Sequence, residues 1–376
     1  MADFLSRARA KGHDVPDRAF SMAMDNLRNQ VNYAPDFDEG GEALAYGLLV
    51  LAREGAAAMG DLRYYADVKG DAFSTPLAAA QLGAALAAYG DQTRADAMFA
   101  RAGRMIEVRR EDTALWRADY GTDLRDSAGV LTLLAEAGSQ AVDREDLATR
   151  IAASDRPRST QEAAWSLLAA QTLVSQSEES GLRLDGEPVS GPFVQLLAGD
   201  TPGAGHRITA AGGRAVELTL TTMGVPETPP APGGTGYAIE RQFYSLDGEP
   251  IEMDELSVGT RFVTLLKVTP FENTGARLVI DDPLPAGVEI DNPNLLRSGD
   301  MSAFDWIDPS DAEHAEFRSD RFVASVLNSG GNEVRLAYIA RAVSLGRFHH
   351  PAPSVEDMYR PAFRARGETG SLAITE

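Results

Sequence analysis

Arg321-Phe322-Val323-Ala324-Ser325-Val326-Leu327, then Asn328-Ser329-Gly330-Gly331-Asn332, then Glu333-Val334-Arg335-Leu336-Ala337-Tyr338-Ile339-Ala340-Arg341-Ala342-Val343 reads as two β-strands around one turn. The arms are rich in β-branched and aromatic residues, and the Asn-Gly-rich centre predicts a hairpin loop. On the second arm Val334, Leu336 and Tyr338 fall on one face, and Arg335, Ala337, Ile339 and Arg341 on the other, because side chains alternate along a strand. Three similar runs precede the pair, at Tyr237 to Tyr244, Arg261 to Val268 and Arg277 to Asp281. Several short strands with turn signals in roughly 140 residues predict an antiparallel β-sandwich over 236–376.

Toward the N-terminus the pattern changes. Val216-Glu217-Leu218-Thr219-Leu220-Thr221 alternates as a strand. Val225-Pro226-Glu227-Thr228-Pro229-Pro230-Ala231-Pro232-Gly233-Gly234 cannot continue a central strand and reads as an interdomain linker or an extended crossing segment. Before about residue 178, Ala and Leu recur at helical spacing. A helix is expected from Val15-Pro16-Asp17 to about Asn32, and one from Gly41-Glu42 carrying Leu44, Leu48 and Leu51. Another follows Ser74-Thr75-Pro76, and others begin at Asp91, at Asp126 and after Ser159-Thr160-Gln161-Glu162, which has the form of a capping box. Helices alternating with short loops predict antiparallel pairs stacked as a toroid or solenoid.

The chain has 376 residues, 44% of them hydrophobic and 24% charged. That size suggests about two or three domains with cores of their own. A formal net charge of −21 argues against nucleic acid and against an anionic membrane surface. Lys11, Lys69 and Lys267 are the lysines; every other basic residue is arginine. There is no cysteine, so disulfides, thiolate metal sites, thiol nucleophiles and thioesters cannot form within this chain. No run approaches the ~18 apolar residues of a membrane span. Met1-Ala2-Asp3-Phe4-Leu5-Ser6-Arg7 lacks the apolar core of a signal peptide.

The candidate chemistry is sparse. His13, His206, His314, His349 and His350 lack zinc-motif spacing, and adjacent His349 and His350 would face opposite sides of a strand. No Gly-x-Ser-x-Gly turn presents a nucleophile. Pro232-Gly233-Gly234-Thr235-Gly236 lacks the Lys-Ser/Thr ending of a phosphate-binding loop and reads as linker. The acidic loop Asp36-Phe37-Asp38-Glu39-Gly40-Gly41-Glu42 could hold calcium but lacks the EF-hand spacing; the plainer reading is a helix start favoured by negative charge. Helical toroids also host glycosidase carboxylate pairs, and the sequence singles out no pair. Ser354-Val355-Glu356-Asp357-Met358-Tyr359-Arg360-Pro361 sets Met and Tyr among charges. It reads either as an edge strand closed by proline or as a loop presenting an aromatic to a partner.

These motifs resemble a known family. Ile239-Glu240-Arg241-Gln242-Phe243-Tyr244-Ser245-Leu246-Asp247-Gly248, Asp281-Asp282-Pro283-Leu284-Pro285-Ala286-Gly287-Val288-Glu289-Ile290-Asp291-Asn292-Pro293, Glu316 to Ala324, and Ser354 to Pro361 are similar, in that order, to the C-terminal region of bacterial alpha-2-macroglobulins. Asp38 to Tyr46 and Ser159 to Glu162 resemble the family's thioester domain, an α/α toroid. The resemblance covers essentially the whole chain. It implies a partial toroid over 1–178, CUB-like strands and a Pro/Gly linker over 179–235, and a macroglobulin-like β-sandwich over 236–376.

For function, the resemblance implies a non-enzymatic, cofactor-free share in periplasmic protease trapping. A protease cleaves a bait region, and an internal thioester then captures it. The cysteine, the bait region and the preceding domains are all missing here, so the chain is expected to be a C-terminal fragment. Its implied partners are target proteases and the missing N-terminal part of the same polypeptide, with no nucleic acid and no membrane contact. The family covers its thioester with a tyrosine of the C-terminal domain; the matching position is Tyr359, with Met358 packed beside it. An activated acyl group lasts only while water is kept out. The alternatives are a free-standing protein-binding module and a toroid glycosidase.

Overall fold

The computed structural model describes residues 1–108, 117, 119–176, 181–189, 205–210, 224, 226–291, 310 and 312–376. The chain divides into two compact units, residues 1–155 with 160–220 and residues 156–159 with 221–376.

The described part of the first unit is mainly helical: α1 (Ala2–Ala10), α2 (Asp17–Asn32), α3 (Glu42–Arg53), α4 (Met59–Asp67), α5 (Pro76–Ala88), α6 (Gln92–Val108), α7 (Asp123–Glu136), α8 (Arg144–Ala152) and α9 (Thr160–Gln176). Helix α5 is buried almost continuously from Pro76 to Leu86. A helix apolar all round must be enclosed, and α3, α4, α6 and α7 pack around it. Successive odd helices are neighbours, α3 with α5, α5 with α7 and α7 with α9, while α4 and α6 lie against α5 and α8 against α7. Small residues set the close approaches. A Cβ on Gly129 of α7 would lie 2.5 Å from Leu77 Cδ1, and one on Gly83 of α5 would lie 3.1 Å from the Ala95 carbonyl oxygen.

Helix starts follow the expected chemistry. Thr75 caps α5 by accepting the Ala78 N–H at 3.2 Å, with Pro76 beginning the helix. Thr122 caps α7 through the Arg125 N–H at 3.2 Å, so that helix begins ahead of the expected Asp126. The sequence reading passed over α4 and α8. Among the described residues, β1 (Leu182–Leu184), β2 (Glu187–Pro188) and β3 (Ile208–Ala210) form a small antiparallel sheet in the order β2-β1-β3. Asp185 at φ 51 and Gly186 at φ 95 make the tight turn between β1 and β2, where both central residues need positive φ. The strand expected at 216–221 lies outside the described residues, as does Val225.

In the second unit the described strands are β4 (Gly233–Thr235), β5 (Tyr237–Tyr244), β6 (Glu255–Ser257), β7 (Arg261–Pro270), β8 (Ala276–Pro283), β9 (Val288–Ile290), β10 (His314–Phe317), β11 (Arg321–Asn328), β12 (Val334–Ala342), β13 (Gly346–His350), β14 (Ser354–Asp357), β15 (Arg364–Arg366) and β16 (Gly370–Thr375). They form a six-stranded sheet in the order β10-β11-β8-β14-β15-β4, a four-stranded sheet β5-β7-β12-β9 and a three-stranded sheet β13-β16-β6. Pairing is antiparallel except for β16 with β6, which is parallel. Phe322 and Val326 of β11, Leu278 and Ile280 of β8, and Leu336 and Tyr338 of β12 join in one core. The six- and four-stranded sheets thus share their buried faces.

Three expectations change. The Asn328–Asn332 turn does not close a hairpin: β11 pairs with β8 and β10, whereas β12 pairs with β7 and β9. The turn carries the chain from one sheet to the other, held by the Asn328 side chain, whose Nδ2 donates to the Asn332 carbonyl at 2.7 Å and whose Oδ1 accepts the Asn332 N–H at 3.2 Å. Next, Gly233-Gly234-Thr235 is no linker. It pairs with Arg364–Arg366 as an edge strand, which needs only backbone and suits glycine where Ala365 approaches closely. Finally, Ser354–Asp357 is not an edge strand, because β8 and β15 flank it on both sides.

Candidate functional site

Strand β14 ends on Asp357, which is 1% exposed, and the chain turns there toward β15. Asp357 Oδ1 accepts the Tyr359 N–H at 3.0 Å and the Arg360 N–H at 3.3 Å, while Oδ2 accepts Arg360 Nε at 2.6 Å. The backbone closes the same loop: the Asp357 N–H donates to the Phe363 carbonyl at 3.0 Å and the Phe363 N–H to the Arg360 carbonyl at 2.7 Å. Arg360 also donates to the Gly275 carbonyl at 3.4 Å and stacks over the Phe363 ring at 4.8 Å. Tyr237 lies buried beside this pair. Its burial, and then the Asp357 charge, push the phenol above its usual range, although Arg360 opposes this.

Met358 and Tyr359 sit together on this turn. Met358 is 38% exposed and Tyr359 is half-buried. The Met358 N–H donates to the Arg277 carbonyl at 2.9 Å, and Arg277 is paired with Leu327 across β8 and β11. The turn therefore offers a thioether and a phenol on a firmly bonded backbone. That arrangement can cover a surface, and the Asp357 carboxylate is taken up by the Tyr359 and Arg360 N–H groups and the Arg360 guanidinium. Sequence reading named Met358 and Tyr359 and gave no role to Asp357 and Arg360. The signal was present: an Asp two and three residues before backbone N–H groups is the form of an Asx turn.

The other candidates resolve differently. In the acidic loop, Lys69 Nζ lies 2.8 Å from Asp36, 3.5 Å from Asp38 and 3.0 Å from the Phe37 carbonyl oxygen. A lysine occupies the place a cation would take, and among the described residues no group of three or more His, Cys, Asp or Glu could hold a metal ion. Nor do the histidines converge. His206 pairs with Asp185 at 2.9 Å and His314 with Glu316 at 3.2 Å. His349 is exposed on β13 while His350 is buried beside it, as strand alternation requires.

Buried carboxylates do gather in the helical unit, around Arg117 and Arg125. Asp126 accepts from Arg117 at 2.8 Å and from Arg125 at 2.6 Å; Asp119 accepts from Arg125 at 2.6 Å and from Arg117 at 2.8 Å. Glu162 accepts the Thr122 hydroxyl at 2.5 Å. Desolvation alone would raise Asp119, but the two guanidiniums outweigh it and hold its carboxyl below the usual range. A glycosidase needs one carboxyl raised to act as acid, and Asp119 is shifted the other way. The cluster braces the entry to α7 against α9. Among the described residues, the lining of a surface hollow of about 330 Å³ is Arg101, Arg104, Met105 and Val108, without a carboxylate.

The chain is similar to known proteins along its whole length. Residues 236–362 match the Bacterial Alpha-2-macroglobulin MG10 domain. The Escherichia coli (strain K12) alpha-2-macroglobulin is 32% identical over all of this chain and 24% of its own length. The crystal structure of Salmonella alpha-2-macroglobulin reacted with methylamine matches 100% of this chain and 25% of that one, at 32% identity and a TM-score of 0.76. Native Escherichia coli alpha-2-macroglobulin, from domain MG7 to the C-terminus, matches all of this chain and 62% of that one, at 28% identity and a TM-score of 0.77. The chain spans about a quarter of the length of the curated relatives it matches.

Proposed function

The chain belongs to the bacterial alpha-2-macroglobulin family, matching its C-terminal region, and from that premise we propose that it serves in protease trapping. In this reading residues 1–178 are the C-terminal part of an α/α toroid of thioester-domain type. Residues 179–235 carry CUB-like strands and the Pro/Gly run, and the last three residues of that span, β4, join a sheet of the macroglobulin-like β-sandwich formed by residues 236–376. The toroid reading is supported by the succession of α3, α5, α7 and α9 as neighbours with α4, α6 and α8 packed on them. The sandwich reading is supported by the turn that carries β11 into β12 across two sheets with a common core.

The role is inhibitory rather than enzymatic, and it is exercised in the periplasm. No helix among the described residues is long and apolar enough to cross a membrane. The partners are target proteases and the thioester-bearing part of the complete inhibitor; this chain, without cysteine, holds no thioester of its own. Met358 and Tyr359 cover that thioester and exclude water and amines until a protease triggers release. The observation that carries this is the Asp357–Phe363 turn, which presents a thioether and a phenol on a fixed backbone. An acyl thioester is long-lived only in a site closed to water, and a flat aromatic beside a polarizable sulfur makes such a closure.

The test is thiol release from the complete inhibitor. Met358→Ala with Tyr359→Ala should raise spontaneous and methylamine-driven release by about tenfold, the scale of losing roughly 1.4 kcal/mol of protection. Release at the wild-type rate would refute the shielding role.

A further inference from the structure

We propose that Asp357 and Arg360 are positioning residues for this turn, holding Met358 and Tyr359 in the covering conformation before anything docks against them. This deepens, and rests on, the shielding reading above. A cover that must order itself on docking loses part of its affinity to that ordering, whereas a preformed one does not. The turn carries the marks of preformation. Its carboxylate is almost fully buried at the end of an internal strand and satisfies two consecutive backbone N–H groups, those of Tyr359 and Arg360. The guanidinium that neutralises it belongs to the same turn, at 2.6 Å, and is itself fixed to the Gly275 carbonyl and the Phe363 ring. Charge-assisted bonds of this kind are shorter and stronger than neutral ones. The Gly275 carbonyl anchors the clasp to the β7–β8 connection. Met358 is exposed while the Asp357 carboxylate is buried. A turn serving only to join β14 to β15 would need the backbone closure at Phe363 and no buried ion pair.

Amide hydrogen exchange on this chain tests the positioning directly. Asp357→Ala should speed exchange at Tyr359 and Arg360 by about tenfold or more, while the amides of Leu278 and Ile280 stay protected. Arg360→Gln, which keeps the carboxylate cap, should give a smaller change in the same direction and serves if Asp357→Ala does not fold. Asp282→Asn, which disturbs a separate buried ion pair, should lower the melting temperature and leave exchange at Tyr359 unchanged. Unchanged exchange at Tyr359 and Arg360 in both turn variants overturns the proposal. In the complete inhibitor Asp357→Ala should raise methylamine-driven thiol release, approaching the Met358→Ala, Tyr359→Ala pair. If that pair raises release and Asp357→Ala does not, only the positioning role fails. If the pair itself leaves release unchanged, the shielding reading falls and the proposal falls with it.

Discussion

His350 carries the clearest pH signature of any residue here. It is buried against Phe243 with ring centroids 5.6 Å apart. Desolvation, reinforced by the charges of Arg241 and His349, lowers it from 6.5 to about 3. The folded unit therefore keeps this imidazole neutral, whereas the unfolded chain takes up a proton below about pH 6.5. Its contribution to stability is complete above that pH and is lost as pH falls from 6.5 toward 3. By pH 4.5 the loss should reach about 2–3 kcal/mol, and His350→Gln should flatten the pH dependence of urea unfolding over that window. Nearby, Asp282 is fully buried between Arg241 Nη1 at 2.6 Å and the Tyr338 hydroxyl at 2.7 Å. Burial raises its carboxyl and Arg241 opposes this. Asp282→Ala strands a buried guanidinium and should cost about 3–5 kcal/mol in equilibrium unfolding. Tyr338→Phe removes one hydrogen bond and should cost about 1–3 kcal/mol.

Among the elements, α1 is fastened by charge as well as by Ala2 and Leu5 packed against Phe20, Met24 and Val50. Its one buried residue is Ser6, and Phe4 is 72% exposed. Arg53 pairs with Asp3 and, at 2.8 Å, with Glu136, while Arg7 meets Glu136 at 2.9 Å. Ser6 donates to Glu54 at 2.6 Å and Tyr46 to Asp3 at 2.9 Å. Arg53→Ala should speed amide exchange along α1 while α5 stays protected; equal exchange in variant and wild type would show that the ion pairs do not hold it. Helices packed through glycine behave differently. Gly129→Val would drive a side chain into Leu77 and should destabilise the helical unit by about 1–3 kcal/mol on thermal melting. What the sequence disclosed follows the same division. Strong periodicity announced α3, α5, β5 and β12, because their side chains carry the pattern. The nine-residue helices α4 and α8 bury only Leu62, and only Leu147 and Ile151, too few points to define a period. Strand β4 pairs through backbone alone, and glycine leaves no side-chain trace. The Asn328–Asn332 turn looked like a hairpin because turn chemistry is local, whereas the choice between β7 and β11 as the partner of β12 is made by distant residues. In the candidate site, the exposed Met358 and Tyr359 stood out among charges, while the Asp357–Arg360 clasp needed the fold to bring Gly275, Tyr237 and Phe363 around it.

For the whole molecule, the composition and the fold point the same way. A net charge of −21 opposes rather than favours attraction to nucleic acid and anionic lipid. Among the described residues, the Arg117, Arg125, Asp119 and Asp126 cluster and the Arg241–Asp282 and Arg360–Asp357 pairs brace the elements they join. The proposed function places the turn after β14 at the surface and makes capture of a protease by a larger inhibitor the event to test. The most direct measurement is an immunoblot, with antibody to this chain, of source-cell periplasmic extract mixed with elastase and run under denaturing conditions. The account predicts a band well above 40.2 kDa that shifts upward by the mass of the protease, and no shift when the extract is first treated with methylamine. A band that stays at 40.2 kDa with protease present would contradict it.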